Sequence, residues 1–206
     1  MKYIIGPIRN TEKKFLVANI KNKNMKTIFS VTQNGTPLKT SQYNWDEKSK
    51  VFSTNEKNLV LDFNVINDVT FKTGSDCIFA TGYNCTFKTG SYCTFDTASG
   101  CIFTTGSSCI FNTSYNCTFN TTLFCTFNTG SGCTFNTSYN CTFTTGEDCV
   151  IVRRDIFEII QPSPKQKIEL NNCSVKGFTL IQDKLSLSGK EISVTIDGQT
   201  YSAIVK

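Results

Sequence analysis

The 206-residue sequence predicts an all-β chain, a two-sided parallel β-solenoid of 16-residue coils, two octapeptides per coil, with small β-rich caps at both ends. Three observations predict it. Ten copies of an eight-residue unit run unbroken from Val69 to Asp148, opening VTFKTGSD, CIFATGYN, CTFKTGSY and closing CTFNTGSG, CTFNTSYN, CTFTTGED. Inside the unit, constant apolar and variable polar residues alternate with the two-residue period of a strand that buries one face. A unit so short cannot bury that face alone, so neighbours must stack.

Counted from its cysteine, the unit has Phe at position 3 and Thr at position 5 in all ten copies, and Cys at position 1 in nine, with Val69 opening the first. Position 2 is Thr or Ile, and position 4 varies among Lys, Ala, Asp, Thr and Asn. Positions 1 and 3 therefore point inward, and 2 and 4 outward. The predicted core is Cys77, Cys85, Cys93, Cys101, Cys109, Cys117, Cys125, Cys133 and Cys141 with Phe79, Phe87, Phe95, Phe103, Phe111, Phe119, Phe127, Phe135 and Phe143. The rest of the unit is a corner. Position 6 is Gly in six copies but Ala98, Ser114, Thr122 and Ser138 elsewhere, which asks for smallness more than for positive φ, since a β-branched residue disfavours positive φ. Position 8 is Asn, Asp or Gly in seven copies, the types that tolerate the left-handed region, with Tyr92, Ser108 and Phe124 as exceptions.

Two units per coil give a thin body whose facing strands run in opposite directions, so that a small Cys is expected to sit across from a large Phe. Three units would aim three Phe and three Cys at one axis with no spacer. Ten units then make five coils, about 24 Å at about 4.8 Å per coil. LDFNVIND (61–68) and CVIVRRDI (149–156) read as worn coils leading into the caps.

The organisation expected is an N-terminal cap or attachment region over 1–60, the solenoid over 61–156 and a hairpin region over 157–206. Asn34-Gly35 centres one hairpin, Tyr43 and Trp45 precede a polar connection to Val51 and Phe52, KIEL pairs with VKGFTLI across Asn171-Asn172, and Asp197-Gly198 splits two alternating strands. Caps are needed because an open coil recruits other chains by edge pairing.

No segment has the pattern of a signal peptide, and no apolar run approaches a transmembrane span, so the chain is expected to be made and kept in a cytosol. Ten of the eleven cysteines, Cys77 to Cys149, recur every eight residues, and Cys173 stands apart. Parallel Cβ vectors on stacked strands suit neither a disulfide nor a thiolate tetrahedron, so the ladder is expected to be free thiol used as apolar filler, with no metal and no cofactor. Residues 1–60 carry eleven Lys and Arg against four acids, a net of +7, while the repeats carry two against four, a net of −2. The absence of histidine excludes His-based triads, and no nucleotide-binding loop is present, so no catalytic residue is predicted.

The string CTFNTGSxC, together with the lead-in YNWDEKSKVFST–NLVLDF and the exit CVIVRRDIFEII, resembles octapeptide-repeat proteins encoded by double-stranded DNA viruses and phages, over about residues 40–180. The resemblance implies a virus-encoded β-solenoid and carries no catalytic residues. The function expected is a non-enzymatic virion component of minor capsid, decoration or fibre type. Its expected partners are other proteins, or a second copy in a homo-oligomer, reached through the ends, with no specific nucleic acid and no membrane. Trp45, Arg153, Arg154, Thr86 and Thr118 are the candidate surface contacts. The alternative is ice binding. Thr70, Thr86, Thr118 and Thr134 would stack on one face, interrupted by Ile102, and Thr94, Thr126 and Thr142 on the other, interrupted by Ile78 and Ile110. Strongly hydrated Lys72, Lys88 and Asp96 at position 4 count against it.

Overall fold

A computed structural model describes residues 29–182, 191–196 and 199–204. The basic segment before Phe29 and the Asp197-Gly198 turn lie outside these residues. The chain opens with β1 (Ser30–Gln33), β2 (Thr36–Pro37), β3 (Asn44–Asp46), β4 (Val51–Ser53) and β5 (Leu59–Phe63). The repeats supply one short strand each: β6 (Thr70–Lys72), β7 (Ile78–Thr81), β8 (Thr86–Lys88), β9 (Thr94–Thr97) and β10 (Ile102–Thr104). They continue as β11 (Ile110–Thr113), β12 (Thr118–Asn120), β13 (Thr126–Asn128), β14 (Thr134–Thr137) and β15 (Thr142–Thr144). Then follow β16 (Val150–Arg153), β17 (Glu158–Ile160), β18 (Lys167–Leu170), β19 (Phe178–Leu180), β20 (Glu191–Ile196) and β21 (Gln199–Ile204).

Successive strands fall alternately into two sheets. A ten-stranded sheet runs β19-β18-β15-β13-β11-β9-β7-β5-β1-β2, and a nine-stranded sheet runs β17-β16-β14-β12-β10-β8-β6-β4-β3. Every pairing from β4 to β16 is parallel, and each residue meets the one a coil away: Phe103 lies beside Phe119, and Phe111 beside Phe127. The chain is thus a two-sided parallel β-solenoid with 16-residue coils, about six of them. Antiparallel strands finish both sheets at both ends.

The corners explain how so short a unit turns back on itself. Position 8 is left-handed at every corner of the repeat, at Asp76, Asn84, Gly100, Asn116, Gly132, Asn140 and Asp148 and equally at Tyr92, Ser108 and Phe124. Position 6 has ordinary φ and is confined instead by the coil below: a Cβ on Gly90 would strike Ser75, and one on Gly106 would strike Ser91. Along the corner that follows the ten-stranded sheet, Tyr83-Asn84, Ser99-Gly100, Tyr115-Asn116 and Ser131-Gly132 alternate. Asn84 Oδ1 occupies the space a side chain on Gly100 would need, and Asn116 Oδ1 does the same over Gly132.

Inside, all the predicted Cys and Phe are buried. Their partners across the core differ from the expectation. Phe faces Phe, with Phe103 meeting Phe111 edge-on at 5.2 Å and 75°, while along its own sheet Phe103 stacks on Phe119 at 4.9 Å and 3°. Each Cys faces the Thr at position 5, as where Cys141 Sγ lies 3.2 Å from Thr137 Oγ1. The inward residues form a triple at positions 1, 3 and 5, and reversing a triple about its middle sends 3 to 3 and 1 to 5. Edge-to-face and offset ring pairs are the favoured aromatic geometries, so the centre of the body is a continuous aromatic ladder.

The worn coils also shift. In the first, Leu61 pairs with Phe79 and Phe63 with Thr81, so Leu59, Leu61 and Phe63 take positions 1, 3 and 5. Phe63 is therefore not the equivalent of the repeat's Phe, and the turn back to Val69 is two residues longer. Parallel pairing begins earlier than Leu61, at β4, where Phe52 lies beside Phe71. At the other end Ile151 lies beside Phe135 and Arg153 beside Thr137, so CVIVR keeps the octapeptide register. The Asn34-Gly35 hairpin forms with positive φ at both residues, as a type I′ turn requires. β18 pairs with β19 as expected, but through a loop over 171–177 rather than an Asn171-Asn172 turn.

Candidate interaction surfaces

The thiols have no chemistry to offer at the surface. All ten ladder cysteines are free and buried, and each Sγ lies against main-chain carbonyls, Cys109 Sγ being 3.7 Å from Gly90 O and 3.5 Å from Ser107 O. Hydrogen bonding to Cys93, then burial, push the Cys77 thiol up, whereas hydrogen bonds to neighbouring thiols hold Cys85, Cys117 and Cys141 down. What keeps all ten inert is their burial, which shuts reagents out. A thiol reagent should therefore modify a single residue, the exposed Cys173, in the folded chain and eleven after denaturation without reductant. Four or five disulfides by mass spectrometry would refute the free ladder.

Arg153, expected at the surface, is completely buried. It stands where the repeat has Thr, at the last parallel rung of the nine-stranded sheet, and its side chain organises the C-terminal cap. Nη2 donates to Asp155 Oδ2 at 2.7 Å and Nε to Oδ1 at 3.3 Å, and Nη1 donates to Val175 O at 2.7 Å. Glu158 lies 3.6 Å from Nη1 and accepts from Gly177 N–H at 2.9 and 3.0 Å. Burial pushes the Asp155 carboxyl up, but the hydrogen bonds and charge of Arg153 outweigh it and hold the group below its ordinary range. Arg154 is exposed and reaches along the solenoid to Asn120 Oδ1 and Thr121 O.

Trp45 is half-buried and belongs to the N-terminal cap more than to a free surface. Its ring lies 5.3 Å from Phe29 and 5.9 Å from Phe63, and Tyr43 stacks on Phe52 at 5.2 Å, so aromatic side chains close this end. The outward faces follow the register. Thr70, Thr86, Ile102, Thr118 and Thr134 form one column, with Thr118 exposed and Thr86 half-buried. Ile78, Thr94, Ile110, Thr126 and Thr142 form the other. Beside the second column a polar ladder runs from Asp96 through Asn112 to Asn128, with amide-to-oxygen distances of 3.3 and 3.2 Å.

Two surface features lie outside the contacts expected from the sequence. Tyr92, Ser108 and Phe124 occupy three consecutive rungs of one corner column, all left-handed, although Asn, Asp or Gly fills the equivalent place in the opposite column. Tyr92→Asn should accordingly raise stability by about 0.5–1 kcal/mol, measured by urea unfolding, because Asn enters that region at lower cost. A loss of stability would show that the exposed Tyr ring makes compensating contacts. The second feature is the C-terminal end. Phe157, left-handed at φ 52, is 92% exposed and Ile159 71%, and Val175, Phe178 and Leu180 are exposed on the loop and strand that finish the other sheet. Their signal is legible only once Phe157 is placed in the turn between β16 and β17 rather than in a strand.

Among the described residues no helix is long and apolar enough to cross a membrane, and no group of three or more His, Cys, Asp or Glu could hold a metal ion. Fold and surfaces together define a capped β-solenoid with a phenylalanine, cysteine and threonine core. Compared with known proteins, the chain matches no family, no curated protein and no solved structure.

Proposed function

We propose that the chain is a non-enzymatic structural rod whose ends, more than its faces, make specific contacts with other proteins. The observation that carries this reading is the exposure of Phe157 and Ile159 at the C-terminal end. A left-handed, solvent-exposed Phe costs stability in the isolated chain, and exposed apolar clusters mark interaction sites. The faces support the reading by their sameness: each coil presents nearly the surface of the last, which favours repeated weak contact over addressing. The resemblance of the repeat to virus-encoded chains makes an assembled virion the surroundings to test first. The test is co-sedimentation of the intact chain with assembled particles, compared with Phe157→Asp/Ile159→Asp and with Thr86→Lys/Thr118→Lys. Attachment lost in the first pair and kept in the second supports end contacts, and the reverse result overturns them.

Ice binding is the second reading, favoured by one observation. Thr118 and Thr134 stand in register on the outward face of a parallel sheet, where rungs repeat at about 4.8 Å. Ice-crystal shaping by the intact chain that vanishes in Thr86→Lys/Thr118→Lys would establish it.

A further inference from the structure

The C-terminal end of the core is unfinished in a self-complementary way. Along the stack the sheets alternate, β14, β15, β16, β18, β17, β19, so the ten-stranded sheet ends half a coil beyond the nine-stranded one. Among the described residues β19 therefore has no strand opposite it. Its register sets Leu180 beside Ile168 and Phe178 beside Leu170. Antiparallel partners share a face, and Ile168 and Leu170 are buried, so Phe178 and Leu180 point toward the core, yet they remain 39% and 51% exposed. β17 and β19 are the last strands of their sheets, and β20 and β21 pair with each other.

The N-terminal end is finished differently. β2 is two residues long and ends in Pro37, which has no N–H to donate, and Phe29, Tyr43 and Trp45 cover the last core rings. A two-residue, proline-bearing edge resists pairing. The two ends therefore do not match head to tail, and growth into a fibre is blocked.

We infer that a second copy of this chain closes the C-terminal end, about a two-fold axis parallel to the strands. β19 of each copy pairs with the free edge of β17 of the other, so that both sheets continue from one copy into the next. The half-coil offset recurs in reverse in the second copy, and the two edges meet without a gap. Phe178 and Leu180 then face their counterparts across a continuous core, as Phe faces Phe throughout the repeats. The open edges require a partner that supplies a strand, and the second copy supplies one at the required height. This inference rests on the reading that the ends make the contacts and names their partner.

The test is light scattering and small-angle X-ray scattering on the full chain over a wide concentration range. Twice the mass of one chain and a particle about twice as long are expected, with Phe178→Lys/Leu180→Lys weakening the dimer by about tenfold or more. Thermal unfolding of the dissociated variant should remain cooperative, and Thr118→Lys on a face should leave the dimer intact. As a measurement on the unaltered chain, amide exchange over 158–160 and 178–180 should slow as concentration rises. A wild-type chain that stays monomeric throughout, a dimer indifferent to both lysines, or exchange independent of concentration would each overturn the inference. A monomer whose particle attachment still depends on Phe157 and Ile159 would leave the end-contact reading standing, with a different protein or the chain's own residues beyond Gln182 as the cover. A dimer formed as described, with attachment indifferent to that pair, would do the opposite.

Discussion

Phe111→Ala should destabilise the chain by about 3–5 kcal/mol in urea unfolding. Phe111 is fully buried between Phe95 and Phe127, each stacked at 4.9 Å, and meets Phe103 and Phe119 edge-on at 5.2 and 5.1 Å. Four ring contacts disappear at once. The strands on either side are held at hydrogen-bonded spacing by the coils above and below, so the cavity cannot close, and the loss falls in the upper part of the range for a large-to-small change. Thr118→Ala on the outward face should cost under about 1 kcal/mol. Equal losses would contradict the inward and outward assignment on which the fold rests.

Arg153→Thr should be almost as damaging, although Thr is the residue the repeat uses at that rung. The substitution fits the register but strips Asp155 and Glu158, whose side chains are 10% and 18% exposed, of their cation, and it frees the carbonyl of Val175. Removing one member of a buried ion pair costs about 3–5 kcal/mol, because the other charge is left without a partner. The loss should appear as earlier thermal unfolding and as faster amide exchange over 171–180, where the cap is tied down. It should also depend on pH. Asp155 has a lowered pKa in the folded chain, so its contribution is present above the ordinary carboxylate value near about 3.9 and fades as pH falls through the folded value. The difference between wild type and Arg153→Thr should therefore shrink below about pH 4. A constant difference down to pH 2 (roughly the foot of the carboxylate range) would show that packing, not charge, makes Arg153 matter.

Much of this architecture is legible in the repeat because each strand is short and each coil answers to one rule. Alternation at positions 1 to 5 identifies the buried Cys and Phe, and residue types at position 8 locate the left-handed corner even where Tyr92 and Phe124 break the pattern. What alternation cannot express is the phase between facing strands, and so Phe was expected opposite Cys where it lies opposite Phe. Long-range neutralisation is equally invisible: Arg153 reads as a surface cation until residues 155–177 fold back to surround it. Trp45 misleads in the same direction, because Phe29 and Phe63, the rings it packs against, are brought to it only by the fold of the cap. The end surface of Phe157, Phe178 and Leu180 depends on counting strands in each sheet, which local pattern does not record.

The alternation of Asn84, Gly100, Asn116 and Gly132 along one corner sets a constraint on assembly of the coils during folding. Ten near-identical units invite mispairing, in which a strand adds one rung out of place and still buries its Phe. Such a slip would press Asn against Asn, and a left-handed Gly against another, instead of seating each Asn over a Gly. The corner thus works as a vernier, distinguishing odd rungs from even ones where the core cannot. A lineage of such chains could lengthen or shorten by two coils at a time and keep every Asn seated, whereas gain or loss of a single coil would set two side chains on successive rungs, as Asp68 and Asn84 already stand, and unseat an Asn from its Gly.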